Sequence, residues 1–396
     1  GDNGGRVVFQ GDVPALRTAD TATGRYLSGR EREGTGRKRP RRQEPVGPWL
    51  RVEGATLHNL RDVDVSIPLG TLTVVTGVSG SGKSTLVHDV LYRNLERALH
   101  GESTAKQHLG EVIGGCRRLD GVQHLKGVAL IDQSPIGRTP RSNPVTYVKA
   151  FDHVRQLFAG QPLARERGYS AGHFSFNVRG GRCEECQGAG VVQIEMVFMA
   201  DVFVPCDVCG GARYNRDTLE VRIRGLNIRD VLDLTVDQAI KFFIREDRLG
   251  QALWQLQRVG LGYLRLGQPA PTLSGGEAQR LKIARELSQA GRGPGRRLYI
   301  MDEPTTGLAG GEVRKLIGVL EQLVEAGNTV VVVEHNLDVV AAADWIIDMG
   351  PEAGDAGGQV VAAGRPEDIV AAPDSYTGRY LREYLEGGSA AAPGSA

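Results

Sequence analysis

Glycines, hydroxyl residues and one lysine occur together in the stretch Gly77–Thr85, which reads G-V-S-G-S-G-K-S-T. The stretch fits the pattern G-x-x-x-x-G-K-[ST] and follows a strand-like apolar run at residues 71–75. Glycines let several backbone N–H groups point at one phosphate group, and the helix that follows adds the positive end of its dipole. The stretch therefore predicts a phosphate-binding loop, in which Lys83 supplies a full charge and Ser84 binds Mg²⁺. Its predicted contacts to nucleotide are Gly77, Gly80, Gly82, Lys83, Ser84 and Thr85.

Three later apolar runs each end in residues that could act on a bound nucleotide. Gln133 follows the run at 127–131, Asp302 and Glu303 follow the run at 297–301, and His335 follows the run at 329–333. We expect Asp302 to hold Mg²⁺ through water and Glu303 to orient and deprotonate the attacking water. His335 is expected to contact the γ-phosphate, and Gln133 is a candidate for sensing Mg²⁺ or the attacking water. Each side chain alone could be an ordinary loop residue, so the prediction depends on their occurring in this order. The predicted catalytic residues are Lys83, Gln133, Glu303 and His335.

The segment Leu273–Arg280 reads L-S-G-G-E-A-Q-R, which is the signature of ABC-type ATPases. Ser274 is expected to cap the helix that follows, and Ser274 and the N–H groups of Gly275 and Gly276 are expected to contact a γ-phosphate. Sites of this type are composite, because a phosphate loop on one module faces a signature on another. The sequence therefore predicts that the phosphate loop and the signature of this chain serve two different nucleotides. Hydrolysis by the chain alone is expected to be weak unless two copies pair head to tail.

Four of the five cysteines form two C-x-x-C pairs, separated by 19 residues. Two such turns complete a tetrahedral site of four thiolates, which suits Zn²⁺, and the strand-like residues between them predict a β-hairpin stapled at its base. A closed site of this kind is structural. A redox dithiol is the alternative, although nothing nearby resembles a thioredoxin unit. The predicted zinc ligands are Cys183, Cys186, Cys206 and Cys209, whereas Cys116 is expected to be a structural thiol.

Four arginines flank this predicted hairpin: Arg179, Arg182, Arg213 and Arg216. They suit sequence-independent contacts to DNA phosphates, but a solvated surface explains their charge equally well. The net charge of the chain is +1, so global charge does not indicate a nucleic-acid partner.

The composition is that of a globular protein, with 40% hydrophobic residues in a chain of 396. No apolar run reaches the roughly 18 residues needed to cross a bilayer, and the first residues lack the apolar centre of a signal peptide. We therefore expect a cytoplasmic protein without a membrane partner. Because the first residue is Gly, the chain is expected to be a fragment or a processed product.

Residues 1–30 repeat the pattern of residues 355–386. D-x-G-G-x-V-V-x-x-G occurs at Asp2–Gly11 and again at Asp355–Gly364, and T-G-R-Y-L occurs at Thr23–Leu27 and again at Thr377–Leu381. Since the second copy closes a nucleotide-binding module, the first copy is expected to close an earlier module. We infer that the full protein is a tandem duplication, and that the given sequence starts near the end of its first repeat.

The chain closely resembles the C-terminal half of the UvrA family, the damage-recognition ATPases of bacterial nucleotide excision repair. The characteristic segments are residues 131–144, 174–177, 204–206, 213–215 and 260–263, together with the two cysteine turns. The resemblance implies ATP, Mg²⁺ and structural Zn²⁺ as cofactors, damaged double-stranded DNA as substrate, and a homodimer in the intact protein. It also implies a partner in the excinuclease component UvrB, which would dock on the first half of the family's sequence. Residues Ala309-Gly310-Gly311 depart from the family's pattern, which has His after Leu308, so coupling between sites could be weakened.

The predicted fold is α/β: an ABC-type P-loop ATPase domain with an inserted helical signature region that carries a four-cysteine zinc β-hairpin. Apolar spacing also predicts a helix over 147–158. One alternative function is a UvrA-like ATPase of antibiotic self-resistance, which binds or exports drugs without repairing DNA, and another is a non-catalytic DNA-binding remnant. The predicted organisation is 1–30, closing remnant; 31–48, basic linker; 49–135, ATP-binding domain, first part; 136–290, signature domain with the zinc module at 183–209; 291–386, ATP-binding domain, second part; 387–396, disordered tail.

Overall fold

The computed structural model describes residues 5–29, 47–101, 113–137, 139–194, 202–290 and 296–389. By internal contacts the chain divides into two units, which change over at residues 132/133 and 288/289. We call residues 5–132 and 289–396 the phosphate-loop unit, and residues 133–288 the signature unit. Residues 31–46 of the predicted linker and the last seven residues of the predicted tail lie outside the described residues. None of the described helices is long and apolar enough to cross a membrane.

The phosphate-loop unit is built from two parts of the chain, one before and one after the signature unit. Its first part holds α1 (Val13–Thr18), α2 (Ala22–Leu27), β1 (Trp49–Leu57), β2 (Leu60–Pro68), β3 (Leu72–Gly77), a π-helix (Thr85–Tyr92), α3 (Arg93–His100), β4 (Arg118–Asp120) and β5 (Gly127–Ile131).

The signature unit is mainly helical, with one short hairpin. Its elements are α4 (Pro144–Tyr147), α5 (Phe151–Ala159), α6 (Pro162–Glu166), β6 (Val191–Ile194), β7 (Val202–Pro205), α7 (Arg216–Leu219), α8 (Ile228–Asp233), α9 (Val236–Phe242), α10 (Asp247–Arg258) and α11 (Gly275–Ala290).

The second part of the phosphate-loop unit alternates strands with helices. It holds β8 (Arg297–Asp302), α12 (Gly310–Glu325), β9 (Thr329–Val333), α13 (Leu337–Ala342), β10 (Trp345–Gly350), β11 (Gln359–Gly364), α14 (Pro366–Ala371) and α15 (Tyr376–Ser389).

Among the described residues, six strands form the central sheet of the phosphate-loop unit, in the order β11-β10-β3-β9-β8-β5. The last five run parallel, and β11 pairs antiparallel with β10. Their centres are continuous apolar runs, and all five residues of β9 are buried, as expected for parallel strands covered on both faces. Parallel strands end at one edge, so β3, β8 and β9 bring the phosphate loop, Asp302 and His335 to that edge.

This sheet confirms the α/β part of the predicted fold. A second, antiparallel sheet in the order β2-β1-β4 packs its apolar side chains into the same core as the helix after the phosphate loop. Cys116 is a partly buried member of this core, in agreement with a structural thiol.

Two glycines of the repeated sequence share their backbone setting in both copies, although among the described residues only the second copy forms a strand, β11. Gly5 and Gly358, which occupy equivalent positions, have φ angles of +76° and +75°. A Cβ on Gly24 would lie 2.4 Å from Leu16 O, and a Cβ on the equivalent Gly378 would lie 2.1 Å from Ile369 O. In each copy the close approach of two helices thus requires glycine, which supports the inferred duplication.

The predicted helix over 147–158 is confirmed from Phe151 onward as α5, but residues 148–150 separate it from α4. Lys149 takes a left-handed conformation, φ +59°, between α4 and α5. The Ala150 N–H donates to Val145 O at 3.0 Å and the Lys149 N–H donates to Thr146 O at 3.0 Å. This pair of bonds is a Schellman cap, which ends α4 although the apolar spacing continues.

Candidate functional site

The phosphate loop follows β3 and depends on glycine for its shape. Gly77, Gly80 and Gly82 have φ angles of +127°, +79° and +98°. A Cβ on Gly77 would lie 1.9 Å from Met349 O on the neighbouring strand β10, so no other residue fits that position. Ser84 and Thr85 follow at the start of the π-helical turn Thr85–Tyr92.

Segments outside the loop hold its carbonyl groups. The Asn59 side-chain amide donates to Gly80 O at 3.0 Å, and the Gly354 N–H donates to the same oxygen at 3.1 Å. The Gly358 N–H donates to Ser81 O at 3.1 Å. These bracing residues were not predicted from sequence, although Gly358 belongs to the repeated D-x-G-G pattern. The second copy of the repeat therefore supports the phosphate loop directly.

Lys83 lies against the loop's own backbone. Its Nζ donates to Gly77 O at 2.9 Å and to Val78 O at 2.7 Å. Burial lowers the pKa of Lys83, whereas the carboxylates of Glu303 and Asp302 act in the opposite direction. The lysine charge and the two acidic side chains are thus gathered at one place, as an anionic phosphate and a divalent cation would require.

Asp302 and Glu303 stand at the end of β8. Asp302 Oδ2 lies 3.6 Å from His88 Nε2, which is on the helix after the phosphate loop. Glu303 has a φ angle of +43° and its Oε1 lies 3.8 Å from His335 Nδ1. A left-handed conformation is unfavourable for glutamate, and such strain is concentrated at functional sites. The phosphate-loop unit therefore brings together Lys83, Asp302, Glu303 and His335.

Glu334 connects the two loops that carry Glu303 and His335. Its buried carboxylate accepts hydrogen bonds from the Thr305 N–H at 2.9 Å, from the Thr305 hydroxyl, and from the N–H groups of His335 and Asn336 at 2.9 and 3.0 Å. The sequence motifs assign this residue no role. The sequence feature that could have pointed to a role for Glu334 is its position between an apolar strand and His335.

The signature residues and Gln133 lie in the signature unit. The Glu277 N–H donates to Ser274 Oγ at 3.3 Å, and the Ser274 N–H donates to Glu277 Oε2 at 2.7 Å, so Ser274 caps α11 as expected. A Cβ on Gly275 would lie 3.0 Å from Gln133 Oε1. Gly276 follows in the first turn of α11. Gln133 therefore contacts the signature, a neighbour that its position after a strand did not predict.

The four predicted zinc ligands form one cluster. Their Sγ atoms lie within 4.8 Å of one another, and those of Cys186 and Cys209 are 3.7 Å apart. A tetrahedral zinc site with Zn–S bonds near 2.3 Å places its sulfur atoms about 3.8 Å apart. Burial raises the pKa of Cys209 to about 12, so four thiolates would persist together only beside a cation. The cluster is consistent with a zinc site at the base of the hairpin β6–β7.

The four flanking arginines have different environments. Arg179 and Arg216 are exposed, whereas Arg182 has a largely buried side chain paired with Glu184 at 3.2 Å. Arg213 is only 8% exposed, and its Nη2 donates to Gly267 O at 3.0 Å. Its guanidinium also covers the ring of Phe176, 5.2 Å from the ring centre. The expectation that Arg213 lies at the surface for phosphate contacts is thus corrected, because the fold uses its side chain internally.

Known proteins match almost the whole chain but less than half of their own length. The protein named UvrABC system protein A from Aquifex aeolicus (strain VF5) is 53% identical over 387 residues, which are 98% of this chain and 40% of that protein. The protein of the same name from Methanothermobacter thermautotrophicus is 56% identical over 387 residues, 97% of this chain and 39% of that protein. The chain thus spans about two fifths of these relatives.

A solved structure supports the same relationship. The crystal structure of UvrA2 from Deinococcus radiodurans superposes with a TM-score of 0.83 at 50% identity, covering 97% of this chain and 45% of that one. No protein-family model matches the chain. The cysteine cluster, the phosphate loop and the signature lie within the matched region. This chain is therefore a homologue of a portion of UvrA, and it has the ABC ATPase fold.

Proposed function

We propose that the chain is the ATPase portion of a UvrA protein that recognises damaged double-stranded DNA in nucleotide excision repair. The observation that carries the proposal is 53% identity to a UvrABC system protein A across 98% of the chain. The gathering of Lys83, Asp302, Glu303 and His335 at one sheet edge supports ATP hydrolysis as its chemistry. We further propose homodimerisation of the intact protein and docking of UvrB outside this chain, both by analogy with the UvrA family.

The proposed roles follow from the environment of each side chain. The phosphate loop and Lys83 would bind the ATP phosphates, and Ser84 and Asp302 would hold Mg²⁺, which withdraws charge from the phosphate oxygens. Glu303 would orient water and accept its proton, since its side chain is half-exposed at the sheet edge and open to an incoming water. Glu334 holds the loops that present Glu303 and His335.

The proposed zinc site is structural. Four cysteine ligands occupy all four coordination positions of a tetrahedral zinc ion and leave none for water or substrate. Cys183, Cys186 and Cys206 are buried, which fits a site that orders the hairpin rather than one that exchanges ligands.

The exposed Arg179 and Arg216 are the proposed phosphate contacts of this unit. In the full-length protein, we expect a higher affinity for a lesion-bearing duplex than for the undamaged duplex, measured by gel shift at fixed salt concentration. Replacing Arg179 or Arg216 by alanine should weaken binding to both duplexes alike and flatten the log–log salt dependence by about 0.9 per lost contact. Arg51→Ala, at an exposed position on β1, is the matched control.

Two results would count against this proposal. Equal affinity for damaged and undamaged duplex would contradict the repair role and favour the UvrA-like ATPase of antibiotic self-resistance. An unchanged salt dependence in both arginine variants would remove these two residues from the DNA-binding surface.

A further inference from the structure

Tyr26 of the first repeat packs against α12 and α13 within the phosphate-loop unit. Its ring lies over Gly310, the first residue of α12, so closely that a Cβ on Gly310 would come within 2.2 Å of Tyr26 Cδ2. Its hydroxyl lies 3.4 Å from Asp338 Oδ2, near the start of α13. One side chain from α2 thus contacts the first turns of two helices.

These two helices directly follow the loops that carry the proposed catalytic residues. The first loop leads from Glu303 at the end of β8 to α12, and the second leads from His335 at the end of β9 to α13. Residues on both loops are already joined through the Glu334 carboxylate. The Tyr26 contact therefore joins the far ends of the same two loops.

Asp338 is buried and has a second tyrosine partner. It is 5% exposed, and its carboxylate also accepts a hydrogen bond from the Tyr384 hydroxyl on α15. Leu308 before α12 and Val339 in α13 belong to one apolar cluster. A displacement at Asp338 would therefore reach the loop before α12 through packed side chains and not through solvent.

The contact lies at the departure from the family's pattern. The stretch Ala309-Gly310-Gly311 includes the residue that Tyr26 covers, and any side chain at position 310 would overlap the tyrosine ring. Ala309 supplies no side-chain oxygen to cap α12, and Glu312 accepts from the Ala309 N–H at 3.2 Å instead. The helix start is therefore held partly by the packed tyrosine.

We propose that Tyr26 is a positioning residue for ATP hydrolysis, which links α1 and α2 of the first repeat to the loops that present Glu303 and His335. The proposal rests on the proposed roles of those two residues. It assigns the first repeat a function in the phosphate-loop unit: a movement of α2 changes the relative position of the two loops.

The test uses the 396-residue chain with Tyr26→Ala, and Tyr380→Ala as its matched control. Tyr380 occupies the equivalent position in the second repeat and is 55% exposed. We expect Tyr26→Ala to speed amide hydrogen exchange in residues 303–312 and 334–342. Single-turnover hydrolysis, measured at protein concentrations at which copies associate, should fall about tenfold because the geometry loosens. ATP affinity should change less than about twofold, since the phosphate loop is untouched.

Two further variants separate positioning from folding. Tyr26→Phe keeps the ring over Gly310 but removes the hydroxyl contact to Asp338, so hydrolysis is expected to fall less than in Tyr26→Ala and faster exchange to be confined to residues 334–342. Gly310→Ala should slow hydrolysis in the unaltered chain, where the new Cβ meets Tyr26, but should be tolerated in the Tyr26→Ala background. An effect of Gly310→Ala that disappears in the Tyr26→Ala background is the non-additivity expected of two groups in direct contact.

The proposal is overturned if Tyr26→Ala and Tyr380→Ala behave alike in exchange and hydrolysis. It is also overturned if Gly310→Ala lowers the hydrolysis rate by the same factor with and without the Tyr26 side chain. A third contrary result is a joint fall in ATP affinity and hydrolysis rate, with faster amide hydrogen exchange throughout the phosphate-loop unit. If Glu303→Gln leaves hydrolysis unchanged, the proposed ATPase roles fail instead, and the exchange result alone then decides whether Tyr26 links the two loops.

Discussion

Cys183→Ser is expected to abolish zinc binding at the cysteine cluster and to unfold the hairpin base. Metal binding to such a site contributes on the order of 10 kcal/mol to local order, and serine is a poor ligand for Zn²⁺. Cys183 also ties the two turns together, because its N–H donates to Arg213 O at 2.9 Å and its carbonyl accepts from the Gly188 N–H at 3.1 Å. Zinc content by atomic spectroscopy and protease cleavage within residues 183–209 measure the result.

The control for this prediction is Cys116→Ser. Cys116 lies in the phosphate-loop unit, away from the cluster in sequence, and its replacement should leave the zinc content unchanged. Protein purified without added metal that holds no stoichiometric zinc, together with an unchanged cleavage pattern in Cys183→Ser, would show that the cluster is not a metal site.

Glu303→Gln is expected to lower ATP hydrolysis by about 10²- to 10⁴-fold while ATP binding persists, because the amide cannot accept the proton of the attacking water. The measurement is single-turnover hydrolysis of labelled ATP at high protein concentration, with nucleotide affinity determined in parallel. Gln keeps the size of the side chain, so its effect isolates the carboxylate from the fold.

Two comparisons complete the Glu303 experiment. Glu383→Gln, at an exposed position on α15, should leave hydrolysis unchanged. Glu303→Gly should abolish hydrolysis without lowering the thermal midpoint, because glycine accepts the φ angle of +43° that strains glutamate. If Glu303→Gln retains most of the rate, another group accepts the proton.

The phosphate loop, the cysteine cluster and the parallel strands could be predicted from sequence because each local pattern permits only a narrow range of backbone geometry. The glycine spacing at 77–82 requires positive φ angles, and the structure has them. The C-x-x-C spacing requires paired turns, and the four sulfur atoms do converge. The apolar runs at 127–131, 297–301 and 329–333 became parallel strands because only a sheet covered on both faces can bury them.

Features that depend on distant pairing were not predictable from those patterns. An arginine beside a cysteine turn looks like a surface charge, and only the position of Gly267 shows why Arg213 is buried. The contact between Tyr26 and Asp338 joins residues 312 positions apart, and no local pattern encodes it. The break between α4 and α5 at Lys149 is a local feature, but the apolar spacing continues through it and does not predict it. The backbone hydrogen bonds that cap α4 end the helix there.

We expect the phosphate loop of this chain to form one face of a composite ATP site, and the proposed hydrolysis depends on this point above all. The most direct test measures ATP binding and hydrolysis by the chain while its state of association is followed by analytical ultracentrifugation. We predict one ATP bound per chain through Gly77–Thr85, with hydrolysis per chain that is very low in the monomer and rises as copies associate. A constant, fast rate per chain in a sample that stays monomeric at every concentration would contradict the claim.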